Sequence, residues 1–423
     1  MKILKFLLIF ILILFPFGEL LRIDVGNNVI LKPLDMLVTF TVLCGIIFHM
    51  VNREARAKAL RHVHSFTTFS KIRTYVAQSA LRKILLLTLL FSFVGFVSLL
   101  INASTLAPNE FFAATLYLLR WISFAGIFFI TITFDDKFKK LMSKFLLWDG
   151  LLIVLLGYLQ YFFYSNLRNL YYLGWDDHMY RLFSVFFDPN FAGAFFVLYF
   201  LFVSAQLYTS LQKKSKYTSL FLSTILLGTL GAIFLTYSRS ALLMFLAGSI
   251  TFLILINKKK LIFILMGILI LFFIVISPLF YIENTNLLRT ASSEARLETS
   301  RNALKIIQDH PILGVGFNAY RYAQIKYNFR NAHPLFMSHA DSGVDNSFLF
   351  VLATTGIIGF IAYISLWFFI LKMAVVRKKH ELSIAGVLVI ASIVGLSVNA
   401  LFINSLFYAP LMLWMWLLIL PLF

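Results

Sequence analysis

Arg239 stands in Thr236-Tyr-Ser-Arg-Ser-Ala, with apolar runs at 218–236 and 240–256 on either side and almost no loop between them. A guanidinium at membrane depth is costly unless it is paired or faces a water-filled cavity, so this one either marks a function or snorkels to an interface. Arg181 lies seven residues ahead of Asp188-Pro-Asn-Phe-Ala-Gly. There Pro189 opens a helix, and Asp188 and Asn190 either cap it or serve a site. Arg296, Arg301 and Lys305 fall within one further segment that reads as helical. Asp345-Asn346-Ser347 begins a further apolar run, with His339 six residues ahead. Arg120 interrupts the run 111–134, which contains no acid to pair with it. It has either a partner on another helix or a functional role.

Several cations without matching metal-binding acids suit an anionic ligand, because guanidinium grips phosphate in bidentate fashion. For a site embedded in a membrane, the anion expected is the diphosphate of a lipid carrier. No phosphate-binding glycine loop, His-Glu-x-x-His or His/Cys cluster occurs, so ATP hydrolysis and zinc catalysis have no support, and no cofactor or metal is expected.

The composition says what must position these residues. The chain has 423 residues, 61% hydrophobic and 13% charged, and a mean hydropathy of +0.88. An ordinary globular chain is about 45–50% apolar and about 25% charged, so a water-soluble enzyme is excluded. One cysteine, Cys44, excludes disulfide frameworks and Cys-based metal sites. A bilayer core of ~30 Å takes ~20 apolar residues per helix. Apolar runs fall at 4–18, 34–51, 84–101, 111–134, 145–164, 190–211, 218–236, 240–256, 261–282, 345–371, 383–403 and 408–423. The expectation is an all-α polytopic membrane protein, a single membrane-embedded domain over 1–423 with about twelve transmembrane helices. Lys2 and Lys5 before an apolar run imitate a secretory signal, but no small-residue cleavage site follows, so a retained first helix is expected.

The formal charge of +19 fits nucleic acid or the inner face of a membrane. Its distribution favours the membrane. With a cytoplasmic N-terminus, the inner loops are 52–83, 135–140, 212–217, 257–260 and 372–382, and all five are basic clusters. The outer segments 19–33, 102–110, 165–189, 237–239 and 283–344 hold most of the acids. The alternation predicts both termini in the cytoplasm and no nucleic-acid partner. Segment 52–83 reads as a basic cytoplasmic loop, some of it an amphipathic helix on the anionic inner leaflet.

Two outer loops stand out. Loop 165–189 carries Tyr171, Tyr172, Trp175 and Tyr180, which stack on sugars or form an interfacial aromatic belt. Loop 283–344, between the ninth and tenth helices, is the one long external loop, and loops of that length are usually functional. Within it a helix is expected from Ser292-Ser293-Glu294 to about Asp309, ended by Pro311. Its apolar stripe is expected at Leu297, Leu304 and Ile307, with Arg296, Arg301 and Lys305 turned to a ligand at the outer surface.

Four elements together resemble the O-antigen ligase and O-antigen polymerase superfamily. They are Asp188-Pro-Asn-Phe-Ala-Gly after an upstream Arg, Ser238-Arg-Ser-Ala, the run from Arg296 to Gly316, and Asp345-Asn-Ser-Phe-Leu-Phe through Thr355-Gly-Ile-Ile-Gly. They lie in family order between about 180 and 360, and the twelve-span layout with its external loop extends the likeness. The resemblance implies a metal-independent glycosyltransferase in the cytoplasmic membrane of a bacterium, with its active site on the extracytoplasmic side. Such an enzyme moves a glycan from an undecaprenyl-diphosphate donor to a sugar hydroxyl on a lipid or another glycan. It also implies that Arg239 and Arg296 hold the diphosphate, Arg181 matching a third basic position, with Asp188, Asn190, Asn346 and Arg301 in support.

Where the family has a His at the start of the tenth helix, this chain has Asp345. The base is then Asp345, or His339 folded inward, or the activity is altered or lost. Asp345 has a bland reading too, as a cap of that helix. Ligase and polymerase both fit these motifs, and membrane lipids surround either. The rivals are a transporter or flippase of lipid-linked oligosaccharide and a catalytically inactive relative.

Overall fold

The structure, a computed structural model, describes residues 1–24, 30–51, 68–276, 285–287, 291–330, 343–375 and 382–422. Helices dominate them, as backbone groups in hydrocarbon require, since no water is there to satisfy a strand edge. One antiparallel pair of two-residue strands, Ile23–Asp24 with Ile30–Leu31, is the exception. The first helices are α1 (Lys2–Leu14), α2 (Pro33–Val51), α3 (Thr68–Ile101), α4 (Pro108–Thr131) and α5 (Asp136–Phe163). Next come α6 (Pro189–Gln212), α7 (Lys216–Leu235), α8 (Arg239–Leu255) and α9 (Leu261–Ile276). The segment read as an external loop contains α10 (Ala291–Asp309) and the short α11 (Tyr320–Lys326), and the chain ends with α12 (Ser347–Ala374), α13 (Ile384–Ala400) and α14 (Ala409–Leu418).

Among the described residues, each of the apolar runs in the sequence overlaps a helix. Among the described residues, seven helices are long and apolar enough to cross a membrane, and shorter apolar ones accompany them. The chain is thus a helical, multi-pass membrane protein. Large apolar side chains such as Phe163, Leu227, Phe263 and Phe368 stand exposed on the outside of the bundle.

Four expectations need correction. Segment 52–83 is helical from Thr68 onward, because α3 runs unbroken into the following apolar stretch. The last apolar run forms a helix of only ten residues, about 15 Å long at 1.5 Å per residue. It is apolar all round and buried throughout, with Trp414 edge-on to Phe195 at 5.0 Å and to Phe202 at 5.6 Å.

Third, α12 is not one continuous span. Gly356, at φ 62° and ψ −168°, breaks it. The Phe407 ring lies 5.5 Å from Phe350 and 5.3 Å from Tyr363. In a straight helix those two residues would be ~20 Å apart along the axis and on different faces, so the halves bend sharply towards each other. Fourth, the buried stripe of α10 is Thr299, Ala303 and Ile306, while Leu297 and Leu304 are exposed. Close packing of α10 on α12 selects the small residues for the interface.

Register explains Arg120. Thr39 donates to Ser123 at 3.1 Å, and Val42 lies against Gly126, so α2 and α4 run side by side at a constant offset. That offset sets Arg120 beside Asp35 in the first turn of α2, where the two form an ion pair at 2.5 Å. The partner on another helix is found. Nearby, Glu19 is buried between Lys32, at 2.6 Å, and Arg22, at 3.1 Å. Burial works to raise its carboxyl, but Lys32 and Arg22 outweigh that and hold it below the usual range.

Candidate functional site

The helix starts of α6 and α8 are built as one unit. Asp188 caps α6 by accepting from the Asn190 backbone N–H at 2.6 Å, with Pro189 in the first turn. Ser238 caps α8 and also donates to the Asn190 side-chain oxygen at 2.9 Å, joining the two starts. The chain passes from α7 to α8 through Tyr237, at φ 48°, a left-handed conformation costly for an aromatic residue. This sharp reversal brings Arg239 straight onto the first turn of α8.

Arg181 holds the reversal in place. It is buried, and its guanidinium donates to the carbonyl of Thr236 at 2.8 Å and, at 3.5 Å, to that of Tyr237 and to the Asn190 side chain. Leu182 adds a backbone bond to Leu235 at 2.9 Å. Arg181 thus braces the segment that presents Arg239.

Arg239 and Arg296 are both half-buried, and the charge of Arg296 acts on Arg239 across the gap between α8 and α10. Two like charges within electrostatic reach of each other favour an anion between them. Arg301, one and a half turns on, is exposed to solvent. The positive ends of the α6 and α8 dipoles face the same region and add to its attraction for an anion.

Asp345 adds a carboxyl within electrostatic reach of Arg296. Burial pushes its carboxyl up to about 6, with the charges of Asp188 and Asp176 acting in the same direction and Arg296 and Arg330 opposing them. Asp345 is therefore within electrostatic reach of the α6 start, of α10 and of the loop after α5. It does not cap α12. Asn346 does, accepting from the backbone N–H groups of Phe348 at 2.9 Å and Leu349 at 3.1 Å, and it also donates to Leu401 at 3.2 Å. The Asp345 carboxylate is left to other work. His339 lies outside the described residues.

A backbone clasp fixes α10 against α12. Where α12 breaks, the carbonyl of Ala353 accepts from Val315 N–H at 2.9 Å, and that of Thr354 accepts from the Ser98 hydroxyl at 2.9 Å. Ile357 N–H donates to Pro311 at 2.9 Å. A side chain at Gly356 would strike the Ile312 carbonyl, and one at Gly314 would meet that of Ala353 at 2.5 Å. The turn Pro311–Gly316 and the break at Gly356 thus interlock, and Arg296 and Asp345 hang from the two sides of the clasp.

Arg330 and Asp176 were missed as members of this cluster. In the sequence Asp176 is one acid among several in the segment 165–189, and Arg330 stands beside no motif. Their approach to Asp345 is tertiary.

The chain is a bundle of apolar helices with Arg239 at a helix start, Arg296 within its electrostatic reach and a half-buried carboxylate at Asp345. Residues 222–364 match the family model described as O-Antigen ligase, which bears out the resemblance to the O-antigen ligase and polymerase superfamily and supports a ligase-type role in polysaccharide biosynthesis. The matched stretch contains Arg239, Arg296 and Asp345, and leaves Arg181 and Asp188 outside. No curated protein matches the chain.

Proposed function

We propose that the protein is a glycosyltransferase that takes a glycan from an undecaprenyl-diphosphate donor on the outer face of a bacterial cytoplasmic membrane and joins it to a sugar hydroxyl. The features that carry this reading are Arg239 at the joined starts of α6 and α8, within electrostatic reach of Arg296, and the Asp345 carboxylate within reach of Arg296 in turn. The acceptor hydroxyl attacks the anomeric carbon from the side opposite the lipid diphosphate. Its proton passes to Asp345, with His339 as partner or substitute, and the bond to the diphosphate breaks. The charge that develops on the leaving group meets guanidinium groups already in place, which is worth most in a low-dielectric cavity. Arg181 acts one step back, by fixing the turn that presents Arg239, and Asn190 and Asn346 serve as joint and cap.

Purified protein in nanodiscs, given an undecaprenyl-diphosphate-linked glycan and a sugar acceptor, should release undecaprenyl diphosphate in step with a new glycosidic bond. Movement of intact donor across the bilayer without cleavage would replace this reading with transport. Transport draws on one observation, the break in α12, since broken helices carry substrate sites in transporters. Here, however, the Ala353 and Thr354 carbonyls freed by the break are taken by Val315 and Ser98, and the Ile357 N–H by Pro311. The break serves the clasp. For polymerase against ligase, deletion of the gene separates the two: loss of long chains with a single repeat retained indicates a polymerase, and full chains stranded on the carrier indicate a ligase.

A further inference from the structure

Between α12, α13 and α14 lies a cavity of about 280 Å³. Phe348, Trp367 and Phe368 of α12, Leu396 and Ser397 of α13 and Met415 of α14 line it. Phe368 is 67% exposed, so the cavity opens on the outside of the bundle, where lipid lies. Leu371 lines it too, although in a straight helix Leu371 would sit ~35 Å from Phe348. The bend at Gly356 therefore creates the space, by folding the first half of α12 over the second.

The wall of the cavity continues in the chain from the candidate site. Phe348 is in the first turn of α12, three residues from Asp345. Ser347, between them, donates to Ile403 at 3.2 Å and accepts from Leu406 N–H at 3.2 Å, and Leu406 is itself part of the wall. An anion held near Asp345 and Arg296 thus has an apolar slot beside it that leads out to the bilayer. A sugar in that slot would leave its hydroxyls without partners, which is costly, so the occupant is a hydrocarbon chain attached to the anion.

Resting on the function proposed above, we infer that this cavity receives the first isoprenoid units of the polyprenyl diphosphate donor and that recognition of the tail stops there. A water-sized group takes up ~30 Å³, so the cavity holds about nine such groups, roughly two five-carbon units. The rest of the tail lies in the bilayer, where lipid contacts are as good as protein contacts. The protein thus reads the head end of its carrier and is indifferent to the tail's total length.

The test uses the whole protein in nanodiscs and glycan diphosphates with tails of one, two, three and eleven isoprenoid units. The apparent KM should fall roughly fivefold between one and two units, from packing contacts alone, and stay level from three to eleven. A KM that keeps falling to eleven units, or never changes, overturns the proposal. Ser397→Trp fills the cavity and should abolish the gain from the second unit, whereas Leu227→Trp, on the outside of α7, should keep it. A Ser397→Trp protein that retains the gain counts against the cavity.

A second readout is independent of turnover. A geranyl diphosphate carrying a diazirine should label peptides containing Trp367 or Leu396, with protection by unlabelled geranyl diphosphate and none by phosphatidylglycerol. Labelling elsewhere overturns the proposal, and protection by phosphatidylglycerol gives the cavity to ordinary lipid instead. Labelling in the cavity with no glycan transfer from any donor would keep the tail site and remove the transferase reading.

Discussion

At the scale of single residues, the arginines and Asp345 differ in what their chemistry demands. Arg239 and Arg296 are proposed to grip a diphosphate, and an ammonium keeps the charge while losing the bidentate geometry. Arg239→Lys and Arg296→Lys should each lower turnover by roughly 10²-fold, read as release of undecaprenyl diphosphate. Wild-type turnover in both would make these arginines structural. Asp345 must be ionised to accept a proton. With its carboxyl pushed up to about 6, activity should rise with pH through that value and level off above it. The same shift has a stability consequence of opposite sign. The folded state binds the proton more tightly than the unfolded chain, so the stabilisation is present below the unfolded value near 4 and is lost as pH rises through about 6. Asp345→Asn should cost about 10²–10⁴-fold in rate, remove the limb near 6 and leave the protein folded, while Asp345→His should retain part of the activity. Full activity in Asp345→Asn with none in His339→Ala would hand the role of base to His339.

At the scale of elements, the clasp between the 311–316 turn and α12 is what the site geometry depends on. Gly356 sits in a region of backbone space open essentially to glycine alone, at a cost of ~1–3 kcal/mol for other residues. Gly356→Ala would add a clash with Ile312 to that cost. It should lower the melting temperature in detergent and cut activity by more than the lost folded fraction, because α10 and α12 would shift apart. An unchanged melting temperature would refute the clasp. This element also marks how far the sequence could be read. The helices and the motifs that carry Arg239, Arg296 and Asp345 were legible, because apolar runs and capping residues are local signals. The break in α12 was not, since Thr354-Thr-Gly-Ile-Ile reads as continuous apolar helix and the bonds that stabilise the break come from Val315 and Ser98. The stripe of α10 was misread for a similar reason. Leu297 and Leu304 are the more apolar residues, but a close interface takes Ala303 and Thr299. The Arg120–Asp35 pair depends on the register of α2 against α4, which no periodicity within either helix reveals.

At the scale of the whole molecule, the chemistry proposed for Arg239 depends on which side of the membrane the α7–α8 reversal faces. The segments read as inner are basic clusters and those read as outer hold most of the acids, so one miscounted helix would put every later segment on the wrong side. The helices leave little room for such an error around the site. α8 ends at Leu255 and α9 begins at Leu261, joined by a tight turn with Asn257 at φ 57° and exposed Lys258, Lys259 and Lys260. At its other end, α8 starts at Arg239 directly after α7. If α8 crosses the membrane, Lys259 and Arg239 must lie on opposite faces, and three adjacent lysines favour the cytoplasmic one. Reporter fusions after Lys214, Lys259 and Lys378 should therefore read cytoplasmic, and one at Asn318, between α10 and α11, should read external. An external reading at Lys259 would place Arg239 in the cytoplasm, on the opposite face from a donor displayed outside, and the proposed transfer could not take place at this site.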